Sequence, residues 1–165
     1  MASFGHLGTH FDVMNKTFPL SYVKRDGIVF DVSAVSTRDI GIEDIQLDAI
    51  KQDMFAAFYT GFIDENEYGS EKYFSRHPQL SDELIDTLLA KKVSIIGIDF
   101  AGVRRGEEHT PKDQYCADKG VFIVENLCNL HLILKETKHQ YFTAHTYPIN
   151  FSGMSGLPCR VVGEI

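Results

Sequence analysis

The chain has 165 residues, 44% hydrophobic and 24% charged, the balance of an ordinary globular protein of one domain rather than of a disordered or fibrous chain. Its net charge of −7 disfavours a nucleic-acid partner, because that affinity depends on Lys and Arg neutralising phosphates, and the pairs Lys24-Arg25, Lys91-Lys92 and Arg104-Arg105 are expected to be solvated ends. Cys116, Cys128 and Cys159 form no CxxC pair, no apolar run approaches the roughly 18 residues of a membrane span, and no basic-then-apolar leader opens the chain, so a cytoplasmic protein without disulfides or a membrane partner is expected.

After a polar, His-rich start, Gly27 to Val35 (GIVFDVSAV) follows the turn signal Arg25-Asp26-Gly27 and predicts a buried strand. Ile42, Ile45, Leu47 and Ile50 recur at roughly helical spacing, predicting a short helix over 41–52. Met54 to Thr60 (MFAAFYT) predicts a second buried strand, and the polar, aromatic stretch Asp64 to Ser75 a loop or lid. Ser81 is a suitable N-cap for a helix over 82–91, where Leu84, Ile85, Leu88 and Leu89 share one face. Val93 to Phe100 (VSIIGIDF) predicts another buried strand. Val103 to Lys112 reads as a charged loop, Lys112 to Lys119 as a short helix stopped at Gly120, and Val121 to Val124 as a strand running into Glu125. Strands over 141–149 and 159–162 flank a glycine-rich loop at 152–156. Helix and strand alternate throughout without a repeat or a linker, which predicts one α/β domain over residues 1–165, a mixed sheet with flanking helices.

The chemistry concentrates in His6-Leu7-Gly8-Thr9-His10-Phe11-Asp12, two imidazoles and a carboxylate within seven residues. In an extended or bulged strand, positions i, i+4 and i+6 point to one face, so all three side chains can converge. Two His and one carboxylate suit Zn²⁺, and also Mn²⁺ or Fe²⁺, and leave positions open for water and substrate. Spacing alone is equally compatible with polar residues on a flexible N-terminus.

HLGTHFD resembles the HxGTHxD signature of the cyclase family, which includes bacterial kynurenine formamidase and isatin hydrolase. RHPQLS, VSIIGIDFAG, GVFIVENLCNL and the closing SGLPCRVVGEI resemble later segments of the same family in order, so the resemblance spans essentially the whole sequence. The family's portion ahead of the signature has no counterpart here. The resemblance implies a swivelling β/β/α type fold, a homodimer or homotetramer, and a divalent metal, Zn or Mn, on His6, His10 and Asp12. It implies Glu125 as a ligand where two metals bind, and a small-molecule substrate such as an aryl formamide of tryptophan catabolism.

The sequence departs from the pattern in three places. The family continues DxPxH, but Asp12 is followed by Val13-Met14-Asn15-Lys16, which puts Lys16 where a histidine stands. A second family histidine falls at Leu20, and a third, twelve residues before the glutamate, at Asp113, a poorer base near neutral pH. Lys16 is either a neutral amine beside a dication or a side chain turned to solvent. His109, four residues before Asp113, is a candidate replacement for the missing imidazole, and His77 in RHPQLS organises a turn or faces substrate. His131, His139 and His145 have no supporting pattern. Phe55 and Phe58 are expected in the core, with Tyr73 and Phe74 lining a pocket. Two functions stay open at this stage. One is a metal-dependent amidohydrolase using Glu125, Asp113, Lys16 or His109 in catalysis. The other is an impaired relative that binds a small molecule or metal without turnover.

Overall fold

The computed structural model describes residues 5–135 and 137–165. Residues 1–4, the start of the stretch in which no leader is read, lie outside them.

In chain order the elements are β1 (His10–Asp12), β2 (Lys24–Asp31), β3 (Phe55–Tyr59), α1 (Phe62–Glu65), α2 (Glu71–Arg76), α3 (Asp82–Ala90), β4 (Ile95–Ile98), α4 (His109–Asp118), β5 (Phe122–Glu125), α5 (Leu130–Leu134), β6 (His139–Thr146), β7 (Gly156–Pro158) and β8 (Val161–Glu164). All strands join one eight-stranded sheet in the order β7-β1-β5-β4-β3-β2-β6-β8. The central strands β2, β3, β4 and β5 are parallel, whereas β1, β6, β7 and β8 pair antiparallel with their neighbours. The mixed sheet with flanking helices expected from the sequence is therefore present.

Strand parity divides the core. Ile28, Phe30, Ala56, Phe58, Ile96, Ile98 and Ile123 pack on one face with Leu84, Ile85 and Leu88 of α3 and Cys116 of α4. Val29, Phe55, Ala57, Ile95, Phe122 and Val124 point to the other face, against Leu130, Ile133 and Leu134 of α5. Both faces are covered, which explains why the central strands read as continuous apolar runs instead of alternating ones. Phe55 and Phe58 are core residues, as expected.

Ser81 caps α3 through its Oγ, which accepts from the Leu84 amide at 3.1 Å. Ser81→Ala is expected to cost about 1 kcal/mol in chemical denaturation, because the amide loses its acceptor.

Several expectations change. The helix read over 41–52 is two 3-10 turns, Ile42–Asp44 and Leu47–Ala49, because the Asp44 carboxylate accepts from the Gly41 amide and is gripped by Arg38, fixing a tight turn. The stretch read as a loop or lid over 64–75 takes in the end of α1 and nearly all of α2, the second capped by Ser70 Oγ, which accepts from the Tyr73 amide. The helix read from Lys112 begins at His109, with Pro111 tolerated because amides of a first turn need no helical acceptor. Of the last strand read over 159–162 only 161 and 162 are strand, in β8, which runs on to Glu164, while β7 precedes it and starts at Gly156, the end of the stretch read as a glycine-rich loop. The three cysteines are unpaired, and among the described residues no helix is long and apolar enough to cross a membrane.

Candidate metal centre

β1 lies antiparallel to β5 with His10 opposite Glu125 and Asp12 opposite Ile123. Directly opposed residues share a face, so His10, Asp12 and Glu125 all project to the side carrying α3 and α4, while Phe11 and Val13 point into the other core. His6 arrives differently from the extended or bulged strand expected. The strand starts only at His10, and Gly8, at φ +59, folds the chain back so that His6 returns over the strand.

The result is a tight group. His6 Nδ1 lies 2.8 Å from Asp12 Oδ1 and 3.2 Å from His10 Nε2, which is itself 3.5 Å from the same carboxylate oxygen. Two imidazole nitrogens facing one carboxylate enclose a position fit for a single proton or a cation. Their far nitrogens are fixed. His10 Nδ1 is 2.9 Å from the Gly8 carbonyl, which makes it the donor there and turns Nε2 to Asp12, and His6 Nε2 meets Ser155 Oγ at 2.8 Å. Such outer hydrogen bonds set the tautomer and orientation of metal-binding imidazoles.

A second group shares Asp12. The early start of α4 places His109 one turn ahead of Asp113, so both reach the end of β5. His109 Nε2 is 3.1 Å from Asp113 Oδ2 and 3.0 Å from Glu125 Oε1. His6, His10 and Asp12 are one set whose ligand atoms lie mutually close enough to hold a metal ion, and Asp12, His109, Asp113 and Glu125 are another.

The electrostatics are those of crowded buried carboxylates. Burial pushes Glu125 up to about 8, with the Asp12 charge acting in the same direction, and burial pushes Asp113 up to about 6. Hydrogen bonds to Asp113 and Glu125 raise His109 to about 11. Burial works against charge on His10, yet the Asp12 carboxylate prevails and raises it to about 9. Asp12 Oδ2 and Asp113 Oδ1 are sealed from solvent and have no hydrogen-bond donor among the described residues. A buried carboxylate oxygen without a partner is costly, and a divalent cation would satisfy both, so the donor set fits a metal of the Zn or Mn type.

The two sets floor a cavity of about 420 Å³ whose wall includes Tyr68, Phe74, His77 and Asn126. Asn126, at φ +58, clamps the signature loop: Nδ2 donates to the Gly8 carbonyl at 3.0 Å and its own carbonyl accepts from Thr9 Oγ1 at 2.8 Å. Tyr68 Oη accepts from the Gly8 amide at 2.9 Å. Asn126, Tyr68 and Ser155 carry no signal in the sequence, because each acts on the loop from a distant segment.

Among the expected residues, His6, His10, Asp12, Glu125, Asp113 and His109 come together. Lys16 does not, since its Nζ pairs with Asp118 at 2.6 Å on the outer side of α4, and Leu20 is exposed. Tyr73 is not a pocket wall as expected. It is fully buried and donates its hydroxyl to Asn126 Oδ1 at 2.7 Å, whereas Phe74 does line the cavity. His77 is buried against Phe100, with Nδ1 2.7 Å from the Pro78 carbonyl. His131, His139 and His145 lie outside both sets.

Comparison with known proteins agrees with this geometry. The Cyclase family model, "Putative cyclase", matches residues 1–104. A solved structure described as a potential metal-dependent hydrolase with cyclase activity superposes with a TM-score of 0.77 at 25% identity, over 96% of this chain and 78% of its own. A predicted metal-dependent hydrolase from Bacillus stearothermophilus gives 0.75 at 24% identity, over 96% and 77%. Isatin hydrolase A from Labrenzia aggregata, solved with benzyl benzoate, gives 0.79 at 18% identity, over 96% and 73%, a likeness of fold. No curated protein matches the sequence significantly. With the family model covering more than half of its length and the signature residues assembled on the sheet, the chain belongs to the cyclase family and carries the fold of its metal-dependent hydrolases.

Proposed function

We propose that this protein hydrolyses a C–N amide bond in a small, aromatic substrate, in the manner of an arylformamidase, using Zn²⁺ or Mn²⁺ held by His6, His10 and Asp12 and by Asp12, His109, Asp113 and Glu125. The observation that carries the reading is the pair of sealed, partnerless carboxylate oxygens, Asp12 Oδ2 and Asp113 Oδ1, within two ligand sets that share one residue. Isatin is a cyclic amide, so the isatin hydrolases that share this fold support the bond type.

A divalent cation here supplies Lewis acidity, which polarises a carbonyl and makes water more acidic. The chain's own residues do the rest. Gly8 and Ser155 hold the two signature imidazoles so that His6 Nδ1 and His10 Nε2 face inward. Tyr68 and Phe74, which line the cavity, offer ring surface for a planar substrate. Glu125 Oε2 lies 3.6 Å from His10 Nε2, has no hydrogen-bond donor among the described residues, and is the acceptor that takes a proton from water and returns it to the leaving amine. Exposed Leu20, Tyr147, Ile149 and Phe151 border an apolar groove of about 480 Å³, which supports assembly as a homodimer or homotetramer.

A binding protein without turnover is the second reading, favoured by Lys16 and Leu20 lying away from the cavity where the resemblance expects imidazoles. Metal content of purified protein, with N-formylkynurenine hydrolysis after Zn²⁺ or Mn²⁺ loading, separates the two. Stoichiometric metal with metal-dependent turnover is the expected result. Metal without hydrolysis leaves a different amide substrate or the binding reading, and no metal under any loading condition overturns the hydrolase reading and leaves a relative in fold alone.

A further inference from the structure

A second cavity, of about 680 Å³, adjoins the first along the same edge of the sheet. Ser33, Tyr59, Thr60 and Gly61, just at or beyond the C-terminal ends of β2 and β3, line it together with the segment from Arg76 to Gln79 and Arg105. His77 lines both cavities, and its sequence neighbourhood is divided between them: Phe74 and Gly106 border the first, Arg76 and Arg105 the second. Ligands of open α/β sheets bind outside the C-terminal ends of the strands, and both cavities occupy that position.

The charge of this second cavity is unbalanced in a specific way. Its lining arginines are Arg38, Arg76 and Arg105 and its lining carboxylates Asp39 and Glu65. Arg38 is forked onto Asp44 with both contacts at 2.6 Å and reaches Glu43 at 3.2 Å. Asp39 is taken by Arg104 at 2.6 Å, so the Arg104-Arg105 pair is not simply a solvated end. Among the described residues Arg76 and Arg105 have no ion pair and no side-chain hydrogen bond, and Glu65 is the one other lining carboxylate. A chain of net charge −7 thus leaves two guanidinium groups free on one cavity. Burial holds His77 down to about 4, and the Arg105 charge pushes the same way, so its ring is neutral. With Nδ1 donating to the Pro78 carbonyl, Nε2 is an acceptor without a protein donor among the described residues.

We propose that this cavity is the subsite for a carboxylate on the substrate, so that the substrate is an amide of the N-acyl amino acid class with its carbonyl at the His/Asp/Glu cluster, its N–H at His77 Nε2 and its carboxylate on Arg76 and Arg105. The carbonyl end rests on the hydrolase reading above. The anion subsite stands on the second cavity alone. Hydrogen bonds to a charged partner contribute about 1.5–3 kcal/mol each, which corresponds to roughly a tenfold to hundredfold change in affinity.

The test is calorimetric binding of hippurate (N-benzoylglycine) and its neutral analogue hippuramide to metal-loaded protein, with metal content measured in every sample. Wild type is expected to bind hippurate at least tenfold more tightly than hippuramide. Arg76→Gln/Arg105→Gln is expected to lose that preference while keeping its metal and its hippuramide affinity, and Arg38→Gln to keep the preference. Equal affinity for the two probes in wild type, or an unchanged hippurate preference in the double variant, overturns the proposal. Guanidinium also binds phosphate, so stronger competition by benzoate than by phenyl phosphate is expected, and the reverse order overturns the choice of carboxylate. Binding is read whether or not hippurate is cleaved, so failure of the hydrolase reading leaves this result distinguishable.

Discussion

Asp12→Asn is expected to remove divalent-cation binding from both positions at once, taking metal content from stoichiometric to below about a tenth of an ion per chain. Asp12 is the one residue common to the two ligand sets, and its Oδ2 is sealed without a donor. The amide keeps the shape of the side chain but withdraws the negative charge that draws His6 and His10 together, and it offers only one weak acceptor. Changes outside the ligand shell typically cost about 10–100-fold in metal affinity, and loss of a shared ligand is expected to cost more. Elemental analysis and competition with a chromophoric chelator read the effect. A variant that retained metal at wild-type affinity would sink the shared-carboxylate arrangement.

His109 gives the second large expected effect, and it is a selective one. The family resemblance puts an imidazole at position 113, where this chain has aspartate, while the structure brings an imidazole to the same place from one helical turn earlier. Residues four apart on a helix lie one above the other, so position 109 can supply what position 113 lacks. His109→Ala is therefore expected to halve the metal content of a fully loaded protein, leaving the His6, His10 and Asp12 position filled. Adding Asp113→His to that variant is expected to restore the second ion, since the imidazole then comes from the family's own position. Two ions bound by His109→Ala with unchanged affinity would show that His109 is only a neighbour of the site.

The contrast between these two predictions reflects what can be read without coordinates. His6, His10, Asp12 and Glu125 were legible because the signature and the ENL segment that carry the resemblance are local; strand parity then carries His10, Asp12 and Glu125 to one face, and the turn at Gly8 returns His6 to them. β3, β4, β5 and α3 were legible because apolar runs and a Ser81 cap are local signals too. His109 was legible as a candidate replacement imidazole but was placed on a charged loop, because the sequence before Lys112 is charged and contains Pro111, which hides the true start of α4. The turns over 42–49 were misread because their helical spacing is overridden by the Asp44 carboxylate and Arg38. α5 gave no signal, being five residues long between Asn129 and Lys135, both at positive φ. Asn126, Tyr68 and Ser155 depend on long-range contacts that no spacing rule reveals.

The pairing of β1 has a consequence for the order in which the protein becomes functional. Its three residues precede every other strand of the sheet in the chain, yet His10 pairs with Glu125 on one side and with Pro158 on the other, both more than a hundred residues later. Contacts of such sequence separation dominate the slow part of folding, because loop closure must precede them. The signature segment therefore waits, unpaired, until β5 and β7 are made, and a cation that meets it early meets three side chains without a frame. A chain ended before Ser155 would contain every proposed ligand and still lack both the serine that orients His6 and the strand that aligns His10 and Asp12.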